Sequence, residues 1–128
     1  MQVLLTSDST NAGTVLALLE FAPTDASSLM HTLRELSTQS ASAREVARGA
    51  ANGNELRFVA RVALKDAGCH LGEDDTGTSV IYCDLTPSTW DEVTSLLEPF
   101  SRRQATHAHQ YLSEHGPITW IASTDSTW

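Results

Sequence analysis

Five histidines, two cysteines and sixteen carboxylates carry most of the chemistry available to this 128-residue chain. His107, Tyr111 and His115 recur every four residues, a spacing that a helix would gather on one face. A metal pair on a helix needs the i, i+4 spacing of HExxH. His107 and His109 stand two apart and His107 and His115 eight apart, and eight residues of helix rise about 12 Å. The histidines therefore read as solvated groups near a helix C-terminus. Cys69 and His70 precede Glu73, Asp74 and Asp75, but this spacing is neither that of a zinc knuckle nor that of an EF-hand loop. Cys69 beside His70 pairs a nucleophile with a base in sequence only. Adjacent side chains do not face each other, and no oxyanion-donor motif accompanies them. Neither G-x-G-x-x-G nor a Walker A sequence occurs, so nothing suggests a nucleotide cradle. The expectation is no catalytic residue, no metal, no cofactor and no enzymatic activity.

The charged residues say more. Asp and Glu number 16 against 8 Lys and Arg, a formal net charge of -8. Such a surface repels phosphate backbones, which argues against direct binding of nucleic acid. Arg57, Arg61 and Lys65 fall on one face of a strand pattern. Aligned cations could hold an anionic ligand, or simply pair with neighbouring carboxylates. The acids cluster at Glu73-Asp74-Asp75 and Asp91-Glu92, with Asp84 between. These six are the candidate partner-binding residues, because an acidic surface steers toward a basic protein. Solubility is the plainer use of the same charge. Trp90 and Trp120 fit core positions, while Trp128 either docks on the surface or serves as an exposed anchor.

The elements that must position these groups follow from periodicity. Residues 2–6 read as a strand, 7–13 as a turn, and 14–21 as a central strand with apolar residues on both faces. Pro23-Thr24-Asp25 opens a helix, capped by Thr24 or Asp25, with a stripe of Ala26, Leu29, Met30, Leu33 and Leu36. A weaker helical pattern of Ala43, Val46, Ala47 and Ala50 is stopped by Asn52-Gly53-Asn54. Residues 55–64 alternate cleanly as a strand, 66–77 read as a loop, and 78–85 as a strand in a hairpin with 55–64. Thr86 or Ser88 caps a second helix with a stripe of Trp90, Val93, Leu96, Leu97 and Phe100, which Pro99 should kink or break. Residues 101–114 continue as helix with Ala105, Ala108, Tyr111 and Leu112 inward, and 118–122 form the last strand. No internal repeat is visible.

The resulting order, β-β-α-(α)-β-β-α-α-β, predicts an α+β fold: an antiparallel-rich mixed sheet of about five strands with helices packed on one face. Without its first strand the order is ferredoxin-like, although strand 2–6 then has no free edge beside the central strand 14–21. One domain spans residues 1–128, with 123–128 as a tail. The apolar runs at 3–5 and 15–19 are too short for a signal peptide or a membrane span, so a cytoplasmic protein with no membrane partner is expected. Cys69 and Cys83 are expected as free thiols, with Cys83 buried in a strand.

In size, acidity and want of catalytic motifs the chain resembles toxin-immunity proteins. Its element order resembles ferredoxin-like regulators of ribonucleases. The resemblance implies a small acidic inhibitor, monomeric or weakly homodimeric, that neutralises a basic partner such as a nuclease toxin. Two alternatives are a homodimeric assembly domain burying Val59 and Ala63 beside Arg57 and Arg61, and a small-molecule binder or enzyme using His107, His109 and His115.

Overall fold

A computed structural model describes residues 1–8, 13–51, 53–102 and 107–126. The elements run β1 (Gln2–Asp8), β2 (Gly13–Leu19), α1 (Pro23–Ser37), β3 (Ala43–Ala51), β4 (Asn54–Val62), β5 (Gly68–Glu73), β6 (Ser79–Leu85), α2 (Pro87–Arg102), β7 (His109–Ser113) and β8 (Ile118–Ser123). The strands form one mixed sheet in the order β1-β2-β8-β5-β6-β4-β3, with β7 also on β8. The sheet curls until its ends almost meet: a Cβ on Gly49 of β3 would lie 2.8 Å from the Cβ of Val3 on β1. The inward strand side chains and the buried stripes of both helices form one core. Phe58, Trp90 and Trp120 are its largest members together with Phe21, all nearly or fully inaccessible. Trp120 takes both Phe58 and Trp90 edge-on, at 4.9 and 6.2 Å between ring centroids.

Both long helices form where the apolar stripes place them. At α1, Asp25 reaches back to accept the Ala22 N–H at 2.9 Å, and Pro23 occupies the first helical position. At α2, Thr86 is the cap: its hydroxyl accepts the Thr89 N–H at 3.3 Å. Pro99 lies on the exposed face of the last turn, and α2 continues past it to Arg102.

The five-strand, ferredoxin-like sheet with helices on one face is not what forms. Residues 43–51 are strand rather than helix, and 109–113 are strand where helix was expected to continue. In each, the register with the neighbouring strand shifts, between Glu45 and Ala47 and between Tyr111 and Ser113. A bulge puts consecutive residues on one side of the sheet, so the period of two is broken and the apolar spacing mimics a helix. Residues 68–73, expected as loop, are β5. Its composition, Gly-Cys-His-Leu-Gly-Glu, is poor in strand formers, and the strand exists through full pairing with β6. That pairing makes β5 the hairpin partner of β6, while β4 lies parallel to β6. The readings placed on residues 9–12, Asn52, Ala105 and Trp128 lie outside the described residues.

The fold contains a repeat that the residues conceal. Its order is ββαββ twice, β1-β2-α1-β3-β4 and then β5-β6-α2-β7-β8. Each half gives its strands to the other: β2 runs parallel to β8, and β4 parallel to β6. The two bulges fall at matching places, with Ala47 opposite Phe58 and Ser113 opposite Trp120. Pro23 matches Pro87, and Ala26, Leu29, Met30, Leu33 and Leu36 match Trp90, Val93, Thr94, Leu97 and Phe100 one for one.

Candidate functional site

The outward face of β3, β4, β6 and β5 gathers the cations. Arg61 sends Nε and Nη2 to the two carboxylate oxygens of Asp84, at 2.7 and 2.8 Å. Asp84 also holds His70 Nε2 at 2.7 Å, and the Arg61 guanidinium lies 3.9 Å above the Tyr82 ring. Burial raises the Asp84 carboxyl, but Arg61 and His70 outweigh it and hold the group below the ordinary carboxylate value. Arg57 bridges Glu45 at 2.8 Å and Asp74 at 3.1 Å. The row of cations is thus spent on neighbouring carboxylates, and Lys65 stands apart in the exposed β4–β5 connection. Val59, between the two arginines, is itself buried.

The six acidic candidates separate into three places. Asp74 is enclosed in the β5–β6 turn, accepting from the Thr76 hydroxyl and amide and from the Thr78 amide. Asp84 is bound as described. Glu73 and Asp75 are exposed at the same turn, and Asp91 and Glu92 are exposed on the first turns of α2. The turn and the α2 N-terminus lie at opposite ends of β6, whose seven residues span about 20 Å. They do not make one patch.

The histidines and cysteines do not converge on a reaction centre. His107 Nδ1 meets Asp125 at 3.1 Å, His109 begins β7, and His115 follows it in the turn to β8. Cys69 and Cys83 are free thiols directly opposite in the β5–β6 register, both buried. Burial, with the neighbouring Cys69, pushes the Cys83 thiol well up, so it is a poor nucleophile. Among the described residues no group of three or more His, Cys, Asp or Glu is placed to hold a metal. Nor is any described helix long and apolar enough to cross a membrane.

The largest change that the fold makes to the site is a groove of about 350 Å³ between α2 and β7. Thr89, Glu92, Val93 and Leu96 line its helix side. Tyr111, Leu112, Ser113, Glu114 and His115 line the other. Leu96, read from sequence as part of the buried stripe, is 37% exposed here, and Tyr111 is 42% exposed. Glu92 and Glu114 are exposed, have no cation partner among the described residues, and no Lys or Arg lines the groove. Of the six acidic candidates Glu92 alone lies in it, and of the three candidate histidines His115 alone. Leu96 and Tyr111 were read as buried helix positions, and Ser113 and Glu114 were given no role, because α2 and β7 become neighbours only through the pairing of β7 with β8. No family model matches the chain, no curated protein is similar to it, and no solved structure matches it.

Proposed function

We propose that the protein is a small acidic inhibitor of the immunity type, acting in the cytoplasm by covering the basic active surface of a protein toxin such as a nuclease. The observation that carries this reading is the separation of charge by element. Four arginines, Arg44, Arg48, Arg57 and Arg61, are neutralised by carboxylates of the β3–β4–β6 region and its neighbours. The surplus of acid is left on the β5–β6 turn and around the α2–β7 groove, where Leu96 and Tyr111 add exposed apolar area. An aliphatic and aromatic centre with a charged rim suits a protein interface. The assembly alternative has less to build on, since Val59 is already covered.

Co-expression with the product of the neighbouring gene is the test. Relief of that product's toxicity is expected, with a complex whose association slows as salt rises. Charge reversal at Glu73, Asp75, Asp91 and Glu92 should slow association further. A tight complex indifferent to both salt and charge reversal would show that electrostatic steering is wrong.

A further inference from the structure

The geometry points to the α2–β7 groove as the receptor for one cationic side chain, a lysine or arginine presented by the protein partner. This inference rests on the reading of the protein as a binder of a basic protein, and it assigns the contact to one place.

The internal repeat supplies the first argument. The equivalent groove of the first half lies between α1 and β3, and Asp25, Ser28, Leu29, Thr32 and Val46 line it. These match Thr89, Glu92, Val93, Leu96 and Leu112 of the second groove, on the helix alignment and on the paired bulges. The first groove also has Met1 in its wall and measures only about 100 Å³. By strand register Ala67 takes the place of Met1 in the second half, and the groove stays open at about 350 Å³. Between the copies Asp25 becomes Thr89, Ser28 becomes Glu92 and Thr32 becomes Leu96. The open groove therefore keeps one helix carboxylate, moved about one turn along the helix, and has gained an aliphatic wall.

The chemistry of the lining supplies the second. Lysine and arginine carry an apolar stem and a charged head. Val93, Leu96 and Leu112 can take the stem. The carboxylates of Glu92 and Glu114 suit the head, and Tyr111 adds an aromatic wall. A third observation is independent of the acids. Ser113 lines the groove at 4% exposure, and among the described residues its Oγ has only the Cys83 thiol beside it. Buried hydroxyls are ordinarily well paired, and a thiol is a weak partner, so this one keeps the capacity to accept from a bound ammonium or guanidinium. The cation-bearing sheet face offers no comparable site, because its arginines and carboxylates already satisfy one another.

The experiment needs no identified partner. ¹⁵N-labelled protein is titrated at low ionic strength with Nα-acetyl-lysine amide, with Nα-acetyl-arginine amide, and with uncharged Nα-acetyl-norleucine amide. Amide shifts are expected at residues 89–96 and 111–115 for at least one cationic probe, with an affinity in the millimolar range. The E92Q/E114Q variant should weaken binding about tenfold, the effect of losing roughly 1.4 kcal/mol. E73Q/D75N, which removes the same charge from the β5–β6 turn, should leave it within about twofold. The proposal is overturned if neither cationic probe shifts the groove. Equal binding of the norleucine probe, or equal weakening by the two double variants, would overturn it as well. Failure of toxin neutralisation leaves this titration standing. Failure of the titration with salt-dependent neutralisation intact moves the contact to another surface.

Discussion

Asp74 shows how a carboxylate can be conspicuous in sequence and yet belong to the interior logic of the fold. It sits in an acidic run, but its oxygens take the Thr76 hydroxyl at 2.6 Å, the Thr76 and Thr78 amides at 2.8 and 3.0 Å, and Arg57 at 3.1 Å. The Thr76 hydrogen bonds, with those of Thr78 and Arg57, lower its carboxyl from 3.8 to about 2. Asp84, Glu45 and Asp66 are lowered too, the first by Arg61 and His70 against burial, the second chiefly by Arg57, the third by Thr86 and Thr89 against burial. A carboxyl depressed in the folded state stabilises the protein above its ordinary value, and that contribution is lost as pH falls through the folded value. Thermal stability should therefore be level above about pH 5 and decline between about pH 4 and pH 2. Asp74→Asn keeps an oxygen for the Thr76 and Thr78 amides but removes the charge. The variant should melt lower than the parent at neutral pH, and the gap should close as pH approaches 2. Melting curves that stay parallel over that range would assign no titrating role to Asp74.

At the scale of elements, close backbone approach is what shuts the sheet. Gly68 has φ +77°, and a Cβ on it would lie 2.1 Å from the Gly116 amide nitrogen. A Cβ on Gly116 would lie 2.6 Å from the Cys69 carbonyl oxygen and 2.7 Å from its nitrogen. The matching contact at the other seam is Gly49 against Val3, where the nearest atom is a side-chain carbon on the edge strand β1. Backbone held in the middle of a sheet yields less than an edge strand. Gly116→Ala should cost about 1–3 kcal/mol by urea unfolding, and Gly49→Ala distinctly less. Equal losses would mean that the two seams are equally stiff. The same elements set what could be read in advance. The α1 and α2 stripes and the β4 alternation are local signals, and all three elements form there, although Leu96 of the α2 stripe is exposed and β4 ends at Val62, short of the fully accessible Leu64. The strands β3 and β7 were obscured because each carries a bulge, and β5 because two of its six residues are glycine. Strand order was beyond reach, since β4 on β6 and β2 on β8 are pairings between distant residues. For that reason Glu92 could be singled out from its charge, whereas its neighbours across the groove could not.

The whole molecule is two ββαββ halves that exchange their sheets. In either half alone, the two hairpins would lose their parallel partners: β2 would lack β8 and β4 would lack β6, or the reverse. The helices pack on each other across the halves, and Phe58 and Trp120 meet there at 4.9 Å. Similarity of plan therefore does not make the halves separate domains. A hairpin without a further strand or helix to cover it is marginal in water, and each half alone exposes its share of a common core. The connection between β4 and β5 is the place to cut, because Leu64 and Lys65 are exposed and Leu64 is fully accessible. Studied singly, peptide 65–128 should lack the near-ultraviolet signal of packed Trp and Tyr, and peptide 1–64, which has neither residue, should lack a cooperative thermal transition in the far ultraviolet. Mixed in equal amounts they should recover both, with a midpoint that depends on concentration. A fragment that folded alone as a monomer would contradict the exchange of sheets as the source of stability. Assembly of one fragment with its own copy would have a different meaning. Two identical ββαββ units could pair β2 and β4 in the pattern of the intact chain, so size measurements on each peptide are needed beside the spectra. Recovery only on mixing would locate cooperativity in the contacts between halves, the same contacts that bring β7 beside α2 and open the groove.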